Sequence, residues 1–159
     1  ESKAHKGESV FTALPEVTFK QDERQCLVIN APNLVEDSLV TNDVVDLKSE
    51  TSFIWLGRYD NVINSGGVKL FPEQIEDKLQ EVIDERFIVA SEADDSLGEK
   101  LILIIENPRD SIDSFKTCLK HLKGLTKFEV PKDIYTTDRF IETASGKVQR
   151  QKTINSVLG

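Results

Sequence analysis

"GRYDNVINSGGVKLFPEQIE", residues 57–76, is where the texture of this chain changes. Before it, from Pro15 to about Leu56, short β-branched or aromatic runs ("EVTFK", "QCLVIN", "DVVDL", "SFIWLG") alternate with turn chemistry ("KQDERQ", "NAPN", "LKSET"). "QDERQ" between two such runs predicts a hairpin, and the four runs predict a small sheet or partial barrel. Within the quoted stretch, Asn64-Ser65-Gly66-Gly67 reads as a loop whose glycines permit positive φ and close approach of backbone or ligand. Pro72 then suits a first helical position, with acids in the first turn. Ile75, Leu79, Val82 and Ile83 fall on one helical face. On these features alone, residues 57–76 are a tight hairpin with solvated charges, followed by a helix.

Beyond that helix, "RFIVAS" and "KLILIIE" predict two buried strands joined through a turn at Gly98. "SIDSFKTCLKHLK" predicts an amphipathic helix capped by Ser111 or Asp110. "DIYTTDRF" predicts a further strand and "VQRQKTINSVL" a closing helix. The expected organisation is a polar lead-in (1–14), a β segment (15–57) and an α+β domain (58–159) with a small mixed sheet covered by helices.

Composition bounds what such a chain does. It has 159 residues and 38% hydrophobic content, enough for a core without metals or disulfides. The formal net charge of -8 argues against a nucleic-acid backbone as partner, since phosphate neutralisation needs clustered Lys and Arg. Two cysteines, Cys26 and Cys118, fit a reducing, cytoplasmic compartment. No run is long enough to span a membrane. The chain opens on Glu1 and contains no methionine, which leads us to expect a piece of a longer protein. His5 and His121 form no site, and no metal-ligand spacing is present.

A second stretch, "ASGKVQR" (144–150), places Lys147 behind Gly146 close to the C-terminal end of the sequence. It is not a Walker phosphate loop: Ile141 stands where that loop's first glycine should precede Gly146-Lys147. Alone, Lys147 reads as a surface lysine. Taken together, however, "TNDVVDL" (41–47), the quoted 57–76 stretch and "ASGKVQR" resemble, in order and spacing, the C-terminal region of the acyl-adenylate-forming superfamily. That superfamily comprises acyl-CoA synthetases, peptide-synthetase adenylation domains and luciferases. The resemblance covers residues 38–150; Asn42 stands where the family's Thr-Gly-Asp motif has glycine. The texture of "SGGVKLFPEQIE" is most similar to o-succinylbenzoate–CoA ligases of menaquinone biosynthesis.

The resemblance implies a set of roles. Asp43 would accept hydrogen bonds from the adenylate ribose, and Arg58 would reach the same ribose or the phosphate. Asp60 would be the hinge about which the C-terminal domain swings. Gly66 and Gly67 would line the tunnel for the CoA pantetheine arm. Phe128 and Lys132 would approach the CoA nucleotide, although Val130 departs where some relatives carry a cation, and packing or solvation accounts for both residues equally well. Lys147 would bridge the substrate carboxylate and the ATP α-phosphate, a task suited to a compact charge on a long stem. The implied reaction is AMP-forming acid–thiol ligation: a small carboxylic acid and ATP (with Mg2+) give acyl-AMP, then CoA gives acyl-CoA. The family builds its phosphate loop and acyl pocket in a large N-terminal domain missing from this sequence. The resemblance therefore implies that this chain alone binds none of these substrates productively and is inactive. Two alternatives stay open: a ligase of the same superfamily that acylates a carrier protein, and a non-catalytic binding module of this fold.

Overall fold

The computed structural model describes residues 9–159. His5 and most of the expected lead-in therefore lie outside the described residues. The chain divides into two compact units, one ending at Val62 and the other comprising Ile63–Gly159.

The first unit is an antiparallel sheet. Its strands are β1 (Val10–Thr12), β2 (Thr18–Gln21), β3 (Cys26–Asn30), β4 (Leu39–Ser49) and β5 (Ser52–Arg58), in the order β1-β5-β4-β3-β2. Phe19, Leu27, Val45 and Phe53 form its buried cluster. The "QDERQ" hairpin is present between β2 and β3. Two expectations are corrected. Residues 10–12, read as lead-in, form β1 and pair with β5, because Phe11 stacks on Phe53 with ring centroids 5.2 Å apart. The first unit also extends past Gly57: β5 runs to Arg58, and a 3-10 turn at Tyr59–Asn61 follows it before the division at Val62.

The second unit contains β6 (Ile63–Ser65), β7 (Val68–Leu70), α1 (Pro72–Leu79), β8 (Phe87–Asp94), β9 (Gly98–Glu106), α2 (Ile112–His121), β10 (Asp133–Thr137) and α3 (Arg150–Leu158). Strand β9 is central. It pairs antiparallel with β8 along its length, parallel with β10 at residues 102–106, and with β6 at Gly98. Its residues Leu101 to Ile105 are all essentially inaccessible, because they alternate between two cores. Leu101, Leu103 and Ile105 join Val89, Ile75 and Leu79 of α1, and Phe115 and Leu119 of α2. Ile102 and Ile104 face Ile88, Ala90 and Phe140, with Ile154 and Val157 of α3 against them. Period-two alternation along a strand apolar on both sides thus produces a three-layer unit. Burying each such side chain contributes about 1.5–3 kcal/mol.

The helix signals act as their chemistry requires. Pro72 opens α1 at its first turn, where its missing N–H costs nothing. Ser111 caps α2, its hydroxyl accepting from the Ser114 N–H at 3.2 Å.

Among the described residues no strand pairs with the outer edge of β8, and one ion pair covers it at Val89. Glu76 of α1 accepts the Val89 N–H at 2.7 Å, and Arg150 of α3 donates to the Val89 carbonyl at 2.7 Å. Arg150 also donates to Glu76 through both terminal guanidinium nitrogens, Nη1 to Oε1 at 2.6 Å and Nη2 to Oε2 at 3.0 Å. Burial alone would lower the Arg150 pKa; the Glu76 carboxylate outweighs it, so the group stays charged. One contact therefore ties α1, β8 and the start of α3 together. Replacing Arg150 by alanine strands a half-buried carboxylate and an edge carbonyl. We predict a loss of about 3–5 kcal/mol in urea unfolding, with Arg150→Lys intermediate because it keeps the charge but loses the fork. A loss under about 1 kcal/mol for the alanine variant would refute this account.

Candidate functional site

In the first unit the candidate site is built on irregularities in β4. Between the pairs Cys26↔Val44 and Val28↔Val40, β3 contributes one residue and β4 three, so Thr41-Asn42-Asp43 bulges from the ladder. The Thr41 hydroxyl donates to the Leu27 carbonyl at 2.9 Å and satisfies the group the bulge leaves unpaired. Strand β5 has its own extra residue, Leu56, between the pairs Val45↔Trp55 and Val44↔Gly57. As a result Trp55 and Arg58, three residues apart, both reach Asp43. The Trp55 indole N–H donates to Asp43 Oδ1 at 3.2 Å, and Arg58 Nε lies 3.7 Å from the same oxygen. Asp43 is half-buried and Arg58 exposed. The structure thus brings together the two residues expected to bind nucleotide, and adds Trp55.

Asp60 lies in the 3-10 turn just before the unit boundary. Its Oδ2 accepts from Asn42 Nδ2 at 2.5 Å. Asn42 Oδ1 in turn accepts from Arg24 at 2.9 Å. Arg24 was read only as part of a polar turn; its partners lie across the sheet, which local pattern does not report.

In the second unit the expected residues separate into two groups. Gly66 and Gly67 form the two-residue turn of the β6–β7 hairpin, with φ of 58° and 81°. That turn type requires positive φ at both positions. Gly66 donates to the Leu97 carbonyl at 2.9 Å, and a Cβ there would lie 3.2 Å from the Leu97 side chain. Around Gly67 nothing lies within 4 Å of where a Cβ would be, so its backbone faces open space. The Lys132 N–H donates to the Leu101 carbonyl at 2.8 Å. Both segments thus attach to the first half of β9. Phe128 is exposed, and the Lys127 ammonium, which sequence reasoning passed over, lies 4.8 Å from its ring centroid. The adjacent Glu129 carboxylate ties this segment to α1 through Lys78 at 2.7 Å.

Lys147 sits at the other end. The bridge Glu142↔Val148 closes a tight hairpin in which Gly146 adopts φ 78°. The Thr143 N–H donates to the Lys147 carbonyl at 2.8 Å, and the Lys147 N–H donates to Thr143 Oγ1 at 3.1 Å. Arg86 fixes the hairpin's base, bonding Glu106 at the end of β9 at 2.9 Å and Glu142 at 2.5 Å. The Lys147 side chain is exposed and makes no hydrogen bond or ion pair among the described residues. Strand β9, from Gly98 to Glu106, spans roughly 26 Å at about 3.3 Å per residue. The Gly66-Gly67 turn and the Lys147 hairpin are anchored at its opposite ends.

His121 is exposed, with Nδ1 2.8 Å from the Thr117 carbonyl of its own helix. Among the described residues no group of three His, Cys, Asp or Glu could hold a metal ion, and no helix is long and apolar enough to cross a membrane.

Glu129 gives this region a pH dependence. Burial raises its pKa, but the Lys78 ammonium and the Thr126 N–H outweigh burial and hold it below the ordinary value of 4.5. A depressed carboxylate stabilises the fold fully above its unfolded pKa, and the contribution disappears as pH falls through the folded pKa. We predict that the Thr126 and Glu129 amides exchange faster as pH drops below about 4.5, after correction for intrinsic rates. Glu129→Gln should flatten that dependence; an unchanged profile would contradict the assignment.

No family model matches the chain. It is 33% identical over 139 residues to the vibriobactin-specific 2,3-dihydroxybenzoate-AMP ligase of Vibrio cholerae, covering 83% of this chain and 24% of that protein. Among solved structures, an acyl-CoA synthetase (AMP-forming)/AMP-acid ligase II-like protein from Dyadobacter fermentans is 32% identical. The TM-score is 0.57, with 92% of this chain and 43% of that one covered. The o-succinylbenzoate CoA synthetase of Bacillus subtilis, solved with its acyl-adenylate intermediate, shares the fold at a TM-score of 0.70 and 20% identity, covering 87% of this chain and 34% of that one. The chain spans about a quarter of the length of the Vibrio relative. Its relatives and structural neighbours are AMP-forming ligases of acyl and aryl acids, and its fold is that of their C-terminal domain preceded by a short β segment.

Proposed function

We propose that this chain is the C-terminal part of an AMP-forming acid–CoA ligase. In this reading the second unit presents two different ends to one active site in turn. The observation that carries the reading is the separation of the Lys147 hairpin and the Gly66-Gly67 turn along β9. Two loops anchored at opposite ends of one strand roughly 26 Å long are poorly placed to serve the same reacting atoms at once. A two-step reaction has use for both.

In the first step an anionic carboxylate approaches the ATP α-phosphate, and Lys147 stabilises the charge that gathers between them. Its exposed ammonium, without a hydrogen bond or ion pair among the described residues, is available for this. Asp43, oriented by Trp55, accepts from the ribose hydroxyls, with Arg58 beside it. Mg2+ enters with the ATP as substrate. In the second step the open backbone at Gly67 lets the pantetheine arm pass, and Phe128 with Lys132 meets the CoA nucleotide. Asp60 is the hinge between the poses. The rest of the adenylating domain, with the phosphate loop and acyl pocket, completes the enzyme. Within this class we favour o-succinylbenzoate as the acid, in menaquinone biosynthesis in the cytoplasm, on the texture of "SGGVKLFPEQIE". Turnover of other aryl acids but not o-succinylbenzoate by the intact ligase would remove that finer assignment and leave the class.

The two half-reactions separate the roles. In the intact ligase, Lys147→Ala should slow pyrophosphate release about 10²–10³-fold and spare thioester formation from preformed acyl-AMP. Asp60→Pro should do the reverse, since a fixed φ traps one pose. If both half-reactions slow equally in both variants, the two-pose reading is wrong.

A further inference from the structure

The Asp60 turn is held by a continuous run of polar contacts within the first unit. Asp22, in the β2–β3 turn, has its Oδ1 fixed by the N–H groups of Arg24 and Cys26, each at 2.9 Å. Its Oδ2 accepts from Arg24 Nε and Nη2 at 3.0 and 2.8 Å. So oriented, the Arg24 guanidinium lies 5.2 Å from the Tyr59 ring centroid and donates to Asn42 Oδ1 at 2.9 Å. Asn42 Nδ2 then donates to Asp60 Oδ2 at 2.5 Å. Two of the three residues in the turn, Tyr59 and Asp60, are thus gripped from the sheet.

The chemistry allows one assignment of the Asn42 amide. Its oxygen must face the guanidinium and its NH2 the carboxylate; the flipped amide sets donor against donor and acceptor against acceptor. Both bonds are charge-assisted, the stronger class. A glycine, which the resembled motif has at this place, has no side chain to make either bond.

We propose that Asn42, oriented by Arg24, is a positioning residue that clamps the Asp60 carboxylate to β4 and restrains the 59–61 turn. The functional half of this proposal rests on the reading of Asp60 as the hinge. If Asp60 absorbs the rotation between poses, each exchange must first release it from Asn42. The clamp then sets how readily the poses interconvert, at a position remote from the reacting atoms.

The clamp can be read in this chain without nucleotide or CoA. The Val62 N–H donates to the Tyr59 carbonyl at 3.3 Å, so its hydrogen exchange reports opening of the turn. Asn42→Asp keeps the acceptor for Arg24 and sets a second carboxylate against Asp60. We expect Val62 to exchange roughly tenfold faster or more, the cost of replacing one attractive bond by repulsion, while the β4–β5 ladder amides hold their rates. Asn42→Asp combined with Asp60→Asn exchanges donor and acceptor across the same pair and should bring Val62 back to near the starting rate. An unchanged Val62 rate in the single variant, or no recovery in the double, overturns the clamp. If the ladder amides also accelerate in Asn42→Asp, Asn42→Ala removes both bonds without adding charge and is judged on the same amide. The positioning role is read separately, in the intact ligase, as the ratio of thioester-forming to adenylating rates. Asn42→Asp should change that ratio several-fold. A clamp seen by exchange with an unchanged ratio overturns the positioning role, whereas failure of the hinge reading itself shows as Asp60→Pro slowing both half-reactions alike.

Discussion

Strand β9 is apolar on both faces, and the second unit is arranged around that constraint. Five consecutive side chains, Leu101 to Ile105, must leave water in two directions at once. Helices α1 and α2 cover one face and α3 the other. With its flanks occupied by β8 and β10, the strand leaves only its two ends for loops. The Gly66-Gly67 turn takes the first end and the Lys147 hairpin the second. The placement of the two candidate functional loops at opposite ends of this strand is therefore a property of the core. The Arg150–Glu76 pair extends the same logic to the open edge of β8: it satisfies the Val89 backbone and anchors the helix that follows Lys147.

The first unit works by a different device. Regular antiparallel pairing sends alternate residues to opposite faces, and neither Trp55 and Arg58 on β5 nor Asn42 and Asp43 on β4 could converge under it. Extra residues in both strands break the alternation and collect these groups around one carboxylate and one turn. Irregularity in a sheet is where a site can be aimed. Here it also places Asn42 between Arg24 and Asp60.

Much of this was legible in the sequence wherever the signal is local. Pro72 and the spacing of Ile75 and Leu79 announced α1, Ser111 or Asp110 was expected to cap α2 and Ser111 does, and "KLILIIE" announced a buried strand. The family resemblance, and not the residues read alone, singled out Asp43, Arg58, Asp60, Gly67 and Lys147. The structure joins the first two, ties Asp60 to the same strand through Asn42, and sets the last two apart. What escaped depends on register and long-range pairing. Strand β1 is only three residues and holds through Phe11 on Phe53. Neither bulge leaves a mark in residue type. Arg24 looked like any polar turn residue, and nothing local marked Arg150, because their partners Asn42 and Glu76 are distant in sequence. The boundary expected after Gly57, between the β segment and the α+β domain, shifted for the same reason: β5 is prolonged by pairing of Arg58 with Asp43.

The central claim is that one rigid unit offers its two ends to one site in succession, and a distance measurement on the intact ligase tests it most directly. Spin labels at Lys48, in the exposed tip of β4, and at Ser145, in the Lys147 hairpin, leave the proposed site residues untouched; Cys118, the half-exposed native thiol, would be replaced by serine. We predict one label separation with ATP and a non-reactive acid analogue, and a second, distinct separation with a stable acyl-adenylate analogue and CoA. A single separation under both conditions would contradict the account.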